Sequence, residues 1–289
     1  LLATFKNFDP DIVVLGHADK IHNSTLQEFK SLKKDIKIIE WNVDNYYLDN
    51  TENKLSKRSN VIDAFFITNA DESIKSCLNN NNSISFFPNI FDSSIERLKI
   101  FENHFFEYDI FYALSFGVGS GKIRSYKSDF DREVYLDYIE KNLPEIKTNF
   151  FGYKGIQPVW GAKFENEISK SPISLNLSRK PKLKYYSSDR ISQYLGNGSC
   201  IFVDINSQLE DLFSIDEVIY FDSADLNEFG KKIKYYVDNK NEAKKIAKKG
   251  WERGHKSYNE KIVTNYFLDV AINNKPSKDY SWPINQYFL

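Results

Sequence analysis

The sequence contains no methionine, and only two cysteines and four histidines in 289 residues. Cys77 and Cys200 are too few for a disulfide framework or a four-ligand zinc site, which points to a reducing, cytoplasmic setting. No apolar run approaches the roughly 18 residues needed to span a bilayer. No charged segment followed by an apolar run opens the chain as a signal peptide would. With no methionine and Leu1-Leu2 at the front, the chain reads as truncated at its N-terminus. An excess of one charge is also missing. Lys plus Arg number 39 and Asp plus Glu 40, which argues against a protein built to grip nucleic acid. Hydrophobic residues at 41% and a mean hydropathy of −0.51 describe a soluble globular chain, long enough for two medium α/β domains.

Short apolar runs alternate with amphipathic stretches, the βαβ pattern of mostly parallel sheets. Strands are expected over 12–15, 36–41, 61–68 and 83–87, with a helix over 70–78 between the last two. Ser24 with Gln27, and Ser93 with Glu96, have capping-box spacing. The first would open a helix burying Leu26, Phe29 and Leu32, the second a helix running to about 106. A second unit starts near Tyr108. It has expected strands over 109–116, 149–152, 173–177, 199–204 and 218–221, and a helix over 129–142 that buries Phe130, Val134 and Ile139. Three helices follow over 225–237, 242–255 and 260–272. The aromatic tail over 275–289 should lie against the body. The expected division is an N-terminal domain over 1–107, a C-terminal domain over 108–272 and the tail over 273–289. Two strand-first units of this kind suggest two Rossmann-like domains facing a cleft, with ligands beyond the C-terminal strand ends.

Two stretches carry candidate chemistry. Gly117-Val118-Gly119-Ser120-Gly121-Lys122 follows a strand but fits neither the Walker spacing nor the dinucleotide fingerprint. It is either a plain Gly-rich turn or one in which Gly119, Ser120 and Lys122 approach a phosphate. The second stretch is richer. Arg179 ends a strand, and Tyr186-Ser187-Ser188-Asp189-Arg190 leads a short helix through Gln193 to Gly198. Ser187 or Ser188 is a good N-cap, and Arg179 and Arg190 are planar forks suited to diphosphate. The competing reading has Ser188 merely capping and Asp189 and Arg190 in salt bridges. No His, Cys, Asp and Glu spacing matches a metal site. The Lys pairs 231–232, 244–245 and 248–249 are diluted by Asp238, Glu242 and Glu252 and read as a solvated helix face.

The Arg190-led helix ending in Gly198, the strand to Asp204, the segment 209–213, the strand 218–221 and the basic helices to Tyr258 resemble the nucleotide-sugar-binding half of GT-B glycosyltransferases. The likeness is strongest to the spore-maturation-protein-like (CgeB-like) group. Trp41-x-Val43-Asp44, Phe87-Pro88-Asn89 and Asp129-x-Asp131-Arg132-Glu133 also fit that group. The resemblance implies a metal-independent enzyme without cofactor that moves a sugar from a nucleotide donor to a glycan or lipid-linked acceptor. The setting would be bacterial surface polysaccharide synthesis, in the cytoplasm or at the periphery of the inner membrane. The diphosphate would meet the 117–122 loop and the Ser187–Arg190 region, the ribose Gln193, and the base the 151–153 or Tyr185-Tyr186 region. Gln193 and Tyr185 stand where many relatives carry a Glu pair. Stereochemistry therefore stays open, and so do two rival readings, a non-catalytic nucleotide-sugar binder and a nucleotide-sugar epimerase. His17, beyond the first strand, is the candidate base for the acceptor hydroxyl, with Asp19 orienting it or serving instead. The alternative for His17 is a structural loop residue. His22, His104 and His255 look structural.

Overall fold

The computed structural model describes residues 1–16, 18, 20–43, 51–72, 74, 82–115, 132–178 and 183–288. The chain starts with α1 (Leu2–Phe8), β1 (Ile12–Gly16), α2 (Asn23–Leu32), β2 (Lys37–Asn42), α3 (Thr51–Arg58), β3 (Ala64–Ile67) and β4 (Ser83–Phe86). It continues through β5 (Ile110–Ala113), α4 (Arg132–Asn142), β6 (Thr148–Phe151), α5 (Gly161–Ile168), β7 (Ile173–Asn176) and α6 (Arg190–Leu195). It closes with β8 (Cys200–Asp204), β9 (Ile219–Phe221), α7 (Leu226–Asp238), α8 (Lys240–Ser257), α9 (Glu260–Asn273) and β10 (Gln286–Phe288). By compactness the chain divides into one unit made of Leu1–Pro88 with Lys261–Leu289, and a second of Asn89–Glu260. The sequence reading had drawn the boundary at 107/108 and assigned the last helix to the second domain.

The first unit carries a sheet in the order β1-β2-β3-β4-β10. Its first four strands are parallel, and β10 runs antiparallel on β4 with Tyr287 opposite Ile84. The aromatic tail therefore docks as expected, and it also completes the sheet. Trp282, 3% exposed, packs edge-on against Tyr266 at 5.2 Å between centroids. Asp269 accepts bonds from the Ser277 N–H at 2.8 Å and the Tyr280 hydroxyl at 3.0 Å. Burial works to raise the Asp269 carboxyl, but these bonds outweigh it and hold the pKa down at about 2.

The second unit is a fully parallel sheet in the order β6-β5-β7-β8-β9. Strand order reverses between β5 and β7, so the crevice beyond their C-terminal ends is the place where such a sheet binds ligands. Phe202, Phe221 and Phe229 pack together on one face, with the Phe221 and Phe229 centroids 4.9 Å apart. On α8, Ala243, Ala247, Gly250 and Gly254 are buried as their spacing predicts. Asp225 caps α7 by accepting from the N–H groups of Asn227 and Glu228, both at 2.9 Å. Asp225→Ala should lower stability by about 1 kcal/mol. The check is a shift in urea midpoint at constant m.

Three local expectations are corrected. The Ser93–Glu96 box does not open a helix. Asp92 takes the capping role, its carboxylate accepting from Ser94 and its own N–H donating to Glu96. The turn stops because Asn197 accepts from the Leu98 and Ile100 N–H groups, which a growing helix would need. Likewise α2 begins at Asn23 with His22 as N-cap and no side-chain cap bond, so Ser24 lies inside the helix, and Leu32 is 47% exposed. On α4 the buried face is Tyr135, Leu136 and Ile139, with Val134 turned outward at 43% exposed. The expected 70–78 helix falls largely outside the described residues. Ala70 lies before a short 3₁₀ turn at Glu72 and Ile74.

Candidate functional site

Two strands and one short helix build the site at the switch point of the second unit. Tyr112 lies near the C-terminal end of β5 and Asn176 at the end of β7, 0% and 2% exposed. Asn176 donates from Nδ2 to the Ser187 hydroxyl at 2.9 Å, and Ser187 donates to the Ser188 carbonyl at 3.1 Å. Arg190, first residue of α6, donates from Nη2 to the Leu177 carbonyl at 2.7 Å. Its guanidinium carbon lies 5.7 Å from the Tyr112 ring centroid, within cation–π range. Tyr194 locks the same helix to β5. Its hydroxyl accepts from the Ala113 N–H at 3.0 Å and its ring packs edge-on against Phe111. Burial raises the Tyr194 phenol well above its ordinary pKa, so it stays protonated.

Four buried polar atoms here have no hydrogen-bond partner among the described residues: Tyr112 Oη, Asn176 Oδ1, Ser188 Oγ and Arg190 Nε. Leaving one such group unsatisfied costs about 1–3 kcal/mol, so native chains rarely gather several in one place without a ligand to meet them. Three of the four are donors, and one belongs to a cation. The set suits a phosphate-like anion flanked by a group that donates to Asn176.

The structure redraws the expected helix cap. Neither Ser187 nor Ser188 caps α6. Asp189 holds the N-cap position without a side-chain cap bond, because Asn176 engages the Ser187 hydroxyl instead. With six residues, α6 is too short for a strong dipole, so the donor groups at the site are side chains. Asp189 is exposed and accepts from Asn89 Nδ2 at 3.3 Å. Tyr186 is 4% exposed, and Gln193 is half-buried one turn along α6. Tyr185, matched to a family Glu, has φ 60° and bonds Asp211 through its hydroxyl. Behind α6, burial holds the Glu96 carboxyl above its ordinary range. His255 bonds the Gly196 carbonyl at 2.9 Å, in keeping with a structural role.

His17, Asp19, Gly119, Ser120, Lys122 and Arg179 lie outside the described residues. Asn176 lies in the polar stretch that the sequence singles out but carries no expected role there, and Tyr112 offers no signal in the sequence.

Among the described residues no helix is long and apolar enough to cross a membrane, and no group of three or more His, Cys, Asp or Glu is placed to hold a metal. The fold is that of the GT-B glycosyltransferases. An alpha-glucosyltransferase solved with UDP and a 13-mer DNA superposes with TM-score 0.64 at 13% identity, over 91% of this chain and 80% of that one. A glycosyltransferase from Rickettsia africae gives 0.62 at 10% identity, over 94% and 78%. HepE from Anabaena, solved with UDP and glucose, gives 0.60 at 8% identity, over 94% and 80%. Within the chain, residues 132–269 match the family described as Glycosyl transferase-like, a stretch that includes α6 and its Arg190. No curated protein sequence matches the chain.

Proposed function

We propose that the protein transfers a sugar from a nucleoside-diphosphate sugar to a hydroxyl acceptor, with the donor's diphosphate held at the Tyr112–Asn176–Ser188–Arg190 cluster. The observation that carries this reading is the gathering of unsatisfied buried groups at the switch point of a parallel sheet. The acceptor oxygen attacks the anomeric carbon, and the bond from that carbon to the diphosphate breaks with its electron pair leaving on phosphate. Arg190 and the hydroxyl donors stabilise the charge that develops there. The acceptor proton passes to a base, for which His17, assisted by Asp19, is the candidate. Gly119, Ser120, Lys122 and Arg179 would complete the phosphate contacts, and Gln193 would face the ribose. In this reading no step is assigned to a metal. The acceptor is a glycan or lipid-linked glycan of a bacterial surface polymer, met in the cytoplasm or at the inner membrane surface. The lysines of α8 that are exposed, among them Lys245, Lys248 and Lys249, are consistent with a peripheral encounter. A non-catalytic nucleotide-sugar binder is the second reading, favoured by Gln193 standing where a carboxylate is usual.

A thermal-shift screen against UDP, GDP, CDP, CMP, ADP and their sugars tests the donor site. A ligand at a hundred times its Kd adds about 2.7 kcal/mol. That corresponds to a rise in Tm of roughly 5–10 °C for units of this size. Silence across the panel from folded protein would overturn the proposal. Binding without release of the diphosphate in the presence of acceptors would favour the non-catalytic reading.

A further inference from the structure

A further buried acceptor stands one strand along from the Arg190 cluster. Asp204 ends β8 and is 5% exposed. It comes one residue after Val203, which pairs in register with Asn176 of β7. Phe202, two residues back, belongs to one core cluster with Tyr112 and Leu177. Side chains alternate along a strand, so Asp204 projects on the Tyr112 face of the sheet. Its two carboxylate oxygens are used differently. Oδ1 accepts from the Asn206 N–H at 3.0 Å and from Asn206 Nδ2 at 2.8 Å, which caps a 3₁₀ turn over Ile205–Ser207. Oδ2 is buried and has no hydrogen-bond partner among the described residues. Burial and the Asp204 charge both raise the Tyr135 phenol, yet its hydroxyl donates to the Ser223 carbonyl and does not serve Asp204.

The turn does not require that second oxygen. Asparagine or serine caps such a turn with a single acceptor. A buried carboxylate oxygen without a donor is costly, so the position calls for a proton donor that the described residues do not supply. The donor is not the diphosphate itself. Its oxygens carry no proton to give, and their charge repels a carboxylate. A nucleoside-diphosphate sugar bears hydroxyls on both sides of its diphosphate, and a hydroxyl gives a carboxylate a strong, charge-assisted bond.

We infer that Asp204 Oδ2 accepts a hydrogen bond from a carbohydrate hydroxyl of the donor. The inference rests on the reading of the Tyr112–Asn176–Ser188–Arg190 cluster as the diphosphate site. Asp204 makes that site read more than charge. Pyrophosphate satisfies the cluster, whereas only a ligand with a hydroxyl satisfies Asp204 as well.

Asp204→Asn in the full chain is the test. Its amide oxygen keeps the bonds to Asn206, so the NH2 group falls where Oδ2 was and opposes a donor with a donor. Titration calorimetry compares inorganic pyrophosphate, the nucleoside diphosphate with the largest shift in the screen above, and the sugar conjugate of that nucleotide. Pyrophosphate affinity should hold or tighten, because a nearby negative charge is removed. Affinity for hydroxyl-bearing ligand should fall about tenfold or more. Equal falls for the diphosphate and its conjugate place the hydroxyl on ribose, and a fall for the conjugate alone places it on the transferred sugar. Unchanged affinity for both would overturn the inference while leaving the diphosphate site standing. Loss of pyrophosphate binding as well would overturn it too, by showing that Asp204 only shapes the cluster. Asp204→Ser, which keeps one capping oxygen and lacks Oδ2, serves as the second variant where Asp204→Asn fails to fold, with the same pattern expected. A parent protein that binds none of the three would instead remove the diphosphate reading, and the inference with it.

Discussion

Arg190→Gln is expected to weaken nucleoside-diphosphate binding and to lower the transfer rate by roughly 10²–10³-fold, the usual effect of removing one donor to developing oxyanion charge. The side chain has two roles that must be separated. Its Nη2 bond to the Leu177 carbonyl and its place against the Tyr112 ring are structural, and their loss alone should lower stability. Its Nε is buried and has no partner among the described residues, so it can meet a ligand. Ser188→Ala provides the control. Its Oγ is also buried and unpartnered, so removing it takes away an unsatisfied group, and stability should hold or rise slightly. Nucleotide binding should still fall. Titration calorimetry on both variants, alongside urea melts, reads the two effects apart. Unchanged nucleotide affinity in Arg190→Gln would remove the cluster from the donor site.

Gly250→Ala is the larger stability test, and two physical effects oppose each other there. Alanine in a helix interior is favoured over glycine by about 1 kcal/mol, so propensity alone predicts stabilisation. Packing predicts the reverse. A Cβ at position 250 would sit 2.2 Å from the Glu217 carbonyl oxygen and 2.6 Å from Leu195 Cδ1. A backbone carbonyl beside β9 cannot swing away as a side chain could, so α8 must shift from the sheet. Overpacking of this kind costs about 1–3 kcal/mol or more. A net loss of about 2 kcal/mol is the expected result, measured as a lower urea midpoint. A higher midpoint would mean that α8 sits further from β9 than described.

Alternation of apolar runs and amphipathic stretches made the two parallel sheets legible, because buried strands such as β7 and β8 are short, β-rich and bounded by turn residues. The Ser93–Glu96 box was misread because its spacing is local, whereas the amide and carbonyl of Asn197 that stop the turn come from a hundred residues away. Within the site, the Ser187–Arg190 stretch drew notice through its polar and basic side chains. Tyr112 did not, since its role arises only when β5 and β7 become neighbours and bring its ring under Arg190. For the same reason the Arg58–Glu40 pair was invisible. Glu40 on β2 and Arg58 at the end of α3 each look like an ordinary surface charge until the fold sets Arg58 Nε 3.3 Å from the Glu40 carboxylate.

The position of β10 has a consequence for synthesis. The first unit needs both Leu1–Pro88 and Lys261–Leu289, so β4 is translated long before the strand that covers its edge. At about 5–20 residues per second, a ribosome takes roughly 10–30 s to make the intervening unit. During that interval β4, a run of Ser83, Ile84, Ser85 and Phe86, presents an unpaired edge of the kind that recruits other strands. The second unit is contiguous and can complete its core while the first still waits. The later-made unit can therefore complete its fold before β10 arrives to cover β4.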